Sequence, residues 1–269
     1  MRDLKILGIQ SDLIWDDPQG NRELFRIKIM NHCEGHHLIL LPETFTTGFP
    51  KFPHFTSETL DGDTIRWMGE IAEKTGAVIC GSLILERENR YTNTLVWVRP
   101  DGSIAEYDKR HVFSMASENE VIDKGRKPLI IELNGWKIMP MICYDLRFPV
   151  WSKNTMDDAG NYAYDLAIYI ANWPAIRSYP WQQLLIARAI ENLSYVAGIN
   201  RVGRDPEGIY YSGDSMIIDP EGQVLSKPDE GKERILSETL SYEKLEAFRS
   251  KFNVGKDWDT FSLLPAEDE

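Results

Sequence analysis

The stretch Met141–Pro149, "MICYDLRFP", ends an apolar run, "IMPMI" (138–142), on a cysteine and then turns polar. A free cysteine behaves as a small hydrophobe and is commonly buried. A strand end is also where a scaffold presents a nucleophile, so Cys143 has two readings. Upstream, Asn134-Gly135 lies between "PLIIEL" (128–133) and "WKIMPMIC" (136–143), a strong hairpin signal. Downstream, "YDLAIYIAN" (164–172) is nearly continuous in apolar residues, as expected of a strand covered on both faces.

The same pattern recurs outward from this point. "LKILGIQ" (4–10) and "HLILLPE" (37–43) read as buried strands, with a loosely amphipathic helix at 21–33 between them. "DTIRWMGEIAEKTG" (63–76) reads as a helix with Asp63 as its cap and Gly76 as its stop. Strands follow at 77–85, which places Cys80 in the core, at 91–98 and at 103–109, with Pro100-Asp101-Gly102 as a turn. Beyond residue 172 come a helix at 179–195, strands within 196–203, 214–219, 223–226 and 234–240, and a helix opened by Ser241. No linker or repeat intervenes. Residues 1–269 are therefore expected to form one α/β domain with a mixed sheet system, and 253–269 an acidic, irregular tail.

Composition narrows the function classes. The net charge is −12, which argues against nucleic acid or an anionic membrane as the main partner, since both require basic patches. Three scattered cysteines, Cys33, Cys80 and Cys143, do not make a disulfide framework. No apolar stretch approaches the roughly 18 residues of a membrane span, and the first residues do not read as a secretory signal. The expectation is a cytoplasmic protein with reduced thiols.

A cysteine nucleophile needs a base and donors for the oxyanion it creates. Two other apolar strands end on suitable residues: Glu43 closes "LILLPE" and Lys109 closes "SIAEYDK". Each alone reads equally well as a solvated surface charge. The three segments "LLPETFTTGF", "YDKRHVF" and "MICYDLRFP", in that order, resemble the nitrilase superfamily of carbon–nitrogen hydrolases. The downstream "YIANWP" and "ARAIENLSYVAGINRVG" extend the likeness over nearly the whole chain, and the residues after Cys143 look like the omega-amidase branch.

The resemblance implies a four-layer α-β-β-α sandwich and a Glu-Lys-Cys triad. Glu43 would be the general base, Cys143 the nucleophile that forms a thioester, and Lys109 the oxyanion donor with the Tyr144 backbone N–H as second donor. A lysine beside Cys143 is expected to lower the thiol pKa, and a carboxylate beside Lys109 to keep the lysine charged. A second carboxylate is expected at Glu118, with Glu120 as the alternative register. The implied activity is hydrolysis of small 2-oxo dicarboxylate monoamides, 2-oxoglutaramate and 2-oxosuccinamate, to the dicarboxylate and ammonia. No metal or organic cofactor is implied, and a homodimer is, with the tail either crossing to the partner or loose. Other nitrilase-type amidase, carbamoylase or nitrile hydrolase activities, and a non-catalytic binding scaffold, are the alternatives.

Further residues carry two readings each. His32, Cys33, His36 and His37 in "HCEGHH" have metal-like composition but sit on one helix end and its turn, without a second cluster, so packing is preferred. A papain-like pairing of Cys143 with His111 would make Glu43 and Lys109 coincidental. Arg147 reads first as an ion-pair partner of Asp145 and second as a binder of a substrate carboxylate. Arg177, after the "NWP" turn, reads equally as a pocket residue or a solvated one. Asn172 and Trp173 read as pocket wall, with Trp173 reading equally as core, and Arg188 with Glu191, at i and i+3, as a structural ion pair.

Overall fold

Two six-stranded mixed sheets lie face to face between layers of helices in the computed structural model, which describes residues 3–49, 53–88 and 90–263. The chain runs β1 (Leu4–Gln10), α1 (Pro18–Met30), β2 (Leu38–Leu40), α2 (Asp63–Thr75), β3 (Val78–Arg87), β4 (Arg90–Val98) and β5 (Ile104–Asp108). It continues through β6 (Ile131–Leu133), β7 (Trp136–Ile142), β8 (Leu166–Ala171), α3 (Ser178–Asn192), β9 (Tyr195–Asn200), β10 (Val202–Arg204) and β11 (Tyr210–Ser212). It closes with β12 (Met216–Ile218), β13 (Val224–Ser226), β14 (Arg234–Leu240) and α4 (Tyr242–Lys251). One sheet has the order β14-β1-β2-β3-β4-β5, the other β13-β12-β9-β8-β7-β6, and β10 pairs with β11 apart from both.

Strand alternation explains the layering. Leu4 and Ile6, Leu38 and Leu40, Val78 and Cys80, and Leu95 and Trp97 pack into one core with the second sheet. Their neighbours Leu7, Ile9, Ile39, Ile79 and Val96 pack instead against Phe25 and Ile29 of α1 and Ile65, Met68 and Ile71 of α2. The central strands β8 and β9 are buried at every residue, because the first sheet covers one face and Trp181, Leu185 and Ala189 of α3 the other. Truncating a fully buried side chain such as Trp97 to alanine costs about 3–5 kcal/mol. Gly8 lets the sheets approach closely: a Cβ there would meet Ile199 Cδ1 at 2.4 Å.

The expected elements are present with shifted bounds. The first helix starts at Pro18 rather than near 21, because Asp17 caps it by accepting the Gly20 N–H at 2.9 Å. Asp63 is the first helical residue and not the cap; Gly62 occupies that place, and the Glu58 carboxylate takes the Thr64 N–H at 2.8 Å. Asn134 and Gly135 both have positive φ, 53° and 85°, as a tight hairpin turn requires. The β10–β11 ribbon was not legible beforehand, since "YYS" is too short to signal a strand. The first part of the expected tail is docked: Tyr162 donates to Asn253 Oδ1 at 2.6 Å, and the Trp258 ring meets the Tyr162 ring edge-on at 5.7 Å. Residues 264–269 lie outside the described residues.

Candidate active site

The site forms where strands from both sheets end. Cys143 follows β7 directly and Asn172 follows β8 directly, and these two strands are parallel neighbours. Lys109 follows β5, and Glu43 lies three residues beyond the end of β2. Cys143 has a φ of 44°, unusual for a residue with a side chain, and opens a 3-10 turn, Cys143–Arg147. In a 3-10 turn the first N–H groups have no partner inside the turn, so the Tyr144 N–H is available beside the thiol. Gly125 lets the neighbouring loop reach Lys109: its N–H donates to the Lys109 carbonyl at 2.8 Å, and a Cβ would fall 1.9 Å from Asp108 O.

The polar centre is a lysine held between two carboxylates. Lys109 Nζ donates to Glu43 Oε1 at 2.9 Å and to both oxygens of Glu118 at 3.0 Å. All three side chains are at most 2 % exposed. Glu43 also accepts from Asn93 Nδ2 at 2.9 Å on Oε1 and from the Asn172 N–H at 2.7 Å on Oε2. Asn172 is itself fixed, its Nδ2 donating to the Glu43 carbonyl at 3.1 Å and to Thr44 Oγ1 at 2.8 Å. Glu118 Oε2 accepts the Phe113 N–H at 2.5 Å. Cys143 Sγ lies 3.9 Å from the Asn172 carbonyl oxygen.

Electrostatics follow from this burial. Burial pushes the Cys143 thiol well above its ordinary pKa, the Glu43 charge and a hydrogen bond to that carboxylate add to the rise, and Lys109 only partly opposes it. The expected lowering by lysine is thus outweighed, and the resting group is a neutral thiol that needs a base to become a nucleophile. Burial alone would lower the Lys109 pKa, but Glu118 and Glu43 together raise it, so the lysine stays charged. Burial raises the Glu118 carboxyl, and Lys109 only partly offsets this, because it is shared with Glu43.

An aromatic and cationic cluster is built on the Cys143 turn. Tyr144 meets Phe113 at 4.9 Å and Phe148 at 5.1 Å between ring centroids. The Arg147 guanidinium lies 4.8 Å over the Trp173 ring, and the Arg177 guanidinium 5.3 Å over the Phe113 ring. Trp173 Nε1 donates to the Arg177 carbonyl at 2.7 Å, which joins the two arginine segments. Among the described residues, neither arginine has a carboxylate partner.

The structure thus brings Glu43, Lys109, Glu118, Cys143 and Asn172 together, and leaves Glu120 exposed. The expected Arg147–Asp145 ion pair is absent: Asp145 points inward and is occupied by Tyr107, His111 and Ile142, whereas Arg147 turns to Trp173. His111 is not paired with Cys143, since its Nδ1 bonds Asp145 at 2.8 Å and its ring stacks on Phe148 at 3.8 Å. Trp173 is largely core, 3 % exposed and tilted against Trp181. Arg188 pairs with Glu191 as expected and also donates to the Leu146 carbonyl at 2.6 Å, anchoring the Cys143 turn. In "HCEGHH", His32 bonds the Lys28 carbonyl, His36 bonds Ser237, and His37 accepts from the Lys5 N–H. Sequence reasoning missed Asn93 and Phe113; a polar residue inside an otherwise buried strand was the available signal for Asn93.

The family model described as carbon-nitrogen hydrolase matches residues 9–250. The chain is 43 % identical to the Omega-amidase YafV of Escherichia coli strain K12, over 98 % of this chain and all of that one. It is 32 % identical to the 2-oxoglutaramate amidase of Bacillus subtilis, over 81 % of this chain and 84 % of that one. Among solved structures, XC1258 from Xanthomonas campestris, a CN-hydrolase superfamily protein with an arsenic adduct in its active site, superposes with a TM-score of 0.95 at 41 % identity, covering 98 % of this chain and 100 % of that one. With the motifs, the sandwich and these matches in agreement, the chain belongs to the carbon-nitrogen hydrolase family, within the nitrilase superfamily.

Proposed function

We propose that this protein hydrolyses the terminal amide of small 2-oxo dicarboxylate monoamides, 2-oxoglutaramate and 2-oxosuccinamate, to the dicarboxylate and ammonia. The observation that carries the reading is the buried Glu43–Lys109–Glu118 cluster at the strand ends that also present the buried Cys143 thiol. The likeness to an omega-amidase and a 2-oxoglutaramate amidase supports the substrate class. The two unpaired guanidiniums at the rim of this acidic chain fit a substrate that carries a carboxylate at the end remote from the amide.

Glu43 takes the thiol proton as Cys143 Sγ attacks the amide carbon. The C–S bond forms, and the carbonyl electrons move to oxygen. The oxyanion is held by Lys109 Nζ and the Tyr144 N–H. Collapse breaks the C–N bond; Glu43 returns its proton to the leaving nitrogen, and ammonia departs, leaving a thioester. Water then attacks the thioester carbon, giving a proton to Glu43, and expulsion of sulfur restores the thiol. Glu118 holds Lys109 in place and keeps it charged. Asn172 fixes Glu43, Trp173 and Tyr144 wall the pocket, and Arg147 and Arg177 receive the carboxylate.

The reading extends to a homodimer, as the family resemblance implies, of single-domain chains in the cytoplasm, as the composition implies. Ile176, Tyr179 and Ile190, on and just before α3, are exposed and available to such a contact. Among the described residues no helix is long and apolar enough to cross a membrane. Sedimentation of the purified chain tests the dimer.

The activity is tested by ammonia release from 2-oxoglutaramate, 2-oxosuccinamate, glutamine and a simple aliphatic amide, for wild type and Cys143→Ala. Turnover of the oxo-amides, lost in the variant, is the expected result. Turnover of the simple amide alone would keep the cysteine chemistry and reject the substrate class.

A further inference from the structure

Asp145, two residues after the nucleophile, is fully buried and accepts four hydrogen bonds. Oδ1 takes the His111 N–H at 2.9 Å and His111 Nδ1 at 2.8 Å; Oδ2 takes the Tyr107 hydroxyl at 2.8 Å and the Ile142 N–H at 3.1 Å. These donors come from both sides of the site. Ile142 precedes Cys143, Tyr107 belongs to β5, and His111 stands two residues beyond Lys109. The carboxylate thus bridges the segment carrying the nucleophile and the segment carrying the lysine.

The surrounding contacts leave it no freedom. An ionised carboxylate only accepts, so His111 carries its proton on Nδ1, and Tyr107 points its proton at Asp145 while its oxygen accepts Trp151 Nε1 at 2.9 Å. The His111 ring is clamped by Phe148 at 3.8 Å. Burial, and then the Asp145 charge, push the Tyr107 hydroxyl well above its ordinary pKa, which keeps it a donor. Cys143 meanwhile holds a left-handed backbone conformation that its turn must enforce. Resting on the proposed amidase reading, we infer that Asp145 is a positioning residue: by joining His111 and Tyr107 to the Cys143 turn, it sets the thiol against Glu43 and Lys109.

The test is Asp145→Asn, which keeps the shape and turns one acceptor into a donor facing donors. Steady-state turnover of 2-oxoglutaramate and the iodoacetamide alkylation rate of Cys143, in a Cys33→Ser background, are read together, with circular dichroism to check folding. The expected result is a folded protein with kcat about 100-fold lower, KM within about twofold, and alkylation slowed in step. Wild-type kcat in the folded variant would overturn the inference. So would faster alkylation, which would mean that Asp145 acts through its charge on the thiol. If Asp145→Asn does not fold, Tyr107→Phe and His111→Phe each remove one side-chain donor, and a fall in kcat and alkylation of about tenfold is expected from each. Unchanged values in both would reject the role. Alkylation requires no knowledge of the substrate, so failure of the amidase reading and failure of this inference are separable.

Discussion

Strand β8 ends on a buried ionic cluster at each side, and the two are built on different rules. Before it, Arg249 donates from Nη1 to Asp165 at 2.6 Å, from Nε to the Leu193 carbonyl at 2.9 Å and from Nη2 to the Tyr164 carbonyl at 2.8 Å. Asp165 also accepts the Lys137 N–H at 2.9 Å, and the exposed Glu246 carboxylate stands 3.7 Å from Arg249 Nη1, so the buried cation faces one buried anion. After it, Lys109 faces two carboxylates, a thiol whose pKa burial raises lies beside them, and the Oδ1 atoms of Asn93 and Asn172 have no partner among the described residues. The balanced pair fastens α4 to the sheet. The unbalanced one retains surplus negative charge and unmet acceptors, the condition of a group that is to take and return a proton.

Removing the cation from each cluster separates these roles. Lys109→Met is expected to abolish turnover, by about 1,000-fold or more, because the oxyanion loses its charged donor. It also strands two buried carboxylates, at a cost of about 3–5 kcal/mol unless one takes up a proton. Its melting temperature is therefore expected to fall at pH 7 and to recover towards wild type as the pH is lowered. Arg249→Met is expected to cost a similar 3–5 kcal/mol with kcat per folded molecule unchanged. Loss of turnover in folded Arg249→Met would erase the distinction between the two clusters; thermal melts with single-turnover assays decide it.

What was legible in the sequence divides along the same line. Glu43, Lys109 and Cys143 stood out because each ends an apolar strand, and strand ends are fixed in space by the sheet. Asn93 did not, because a polar residue in "YTNTLVWV" reads as the outward half of an alternating strand, whereas β4 turns it onto Glu43. Asp145 was misassigned for a local reason: as a chain neighbour of Arg147 it reads as that residue's ion-pair partner. The 3-10 turn instead sends Asp145 inward and Arg147 to Trp173. The layer order followed from the resemblance, since continuous apolar strands report covered faces but not what covers them.

Glu118→Gln sharpens the charge imbalance. The Glu118 pKa is raised in the folded protein, by burial first, with Lys109 opposing and Glu43 adding. A carboxyl raised on folding binds more protons in the native state than in the unfolded one. Its contribution is therefore favourable at low pH and is lost as pH climbs from the unfolded value through the folded one. The neutral variant is expected to melt at or above the wild-type temperature at pH 7, with the gap closing as pH falls towards about 4.5. Activity is expected to fall about 100-fold, since Lys109 loses the partner that orients it. A variant less stable than wild type at pH 7 would mean that the Lys109 attraction outweighs burial.

The smallest effects belong to the rim, where charges are partly solvated. Arg147 lies on Trp173 and Arg177 on Phe113, and the Trp173 indole ties the two segments together through the Arg177 carbonyl. Alanine at either position is expected to raise KM for 2-oxoglutaramate about tenfold, roughly 1.4 kcal/mol, with kcat much less affected. KM for an uncharged aliphatic amide should not move. The double variant distinguishes one carboxylate shared by both guanidiniums from one held by a single arginine. Sharing predicts a loss smaller than the sum of the two single losses, because removing either arginine already weakens the other's hold on the same carboxylate. If one single variant is silent and the other carries the whole effect, the carboxylate is held by one side of the rim. Trp173 would then act as the wall that keeps the silent arginine away from it.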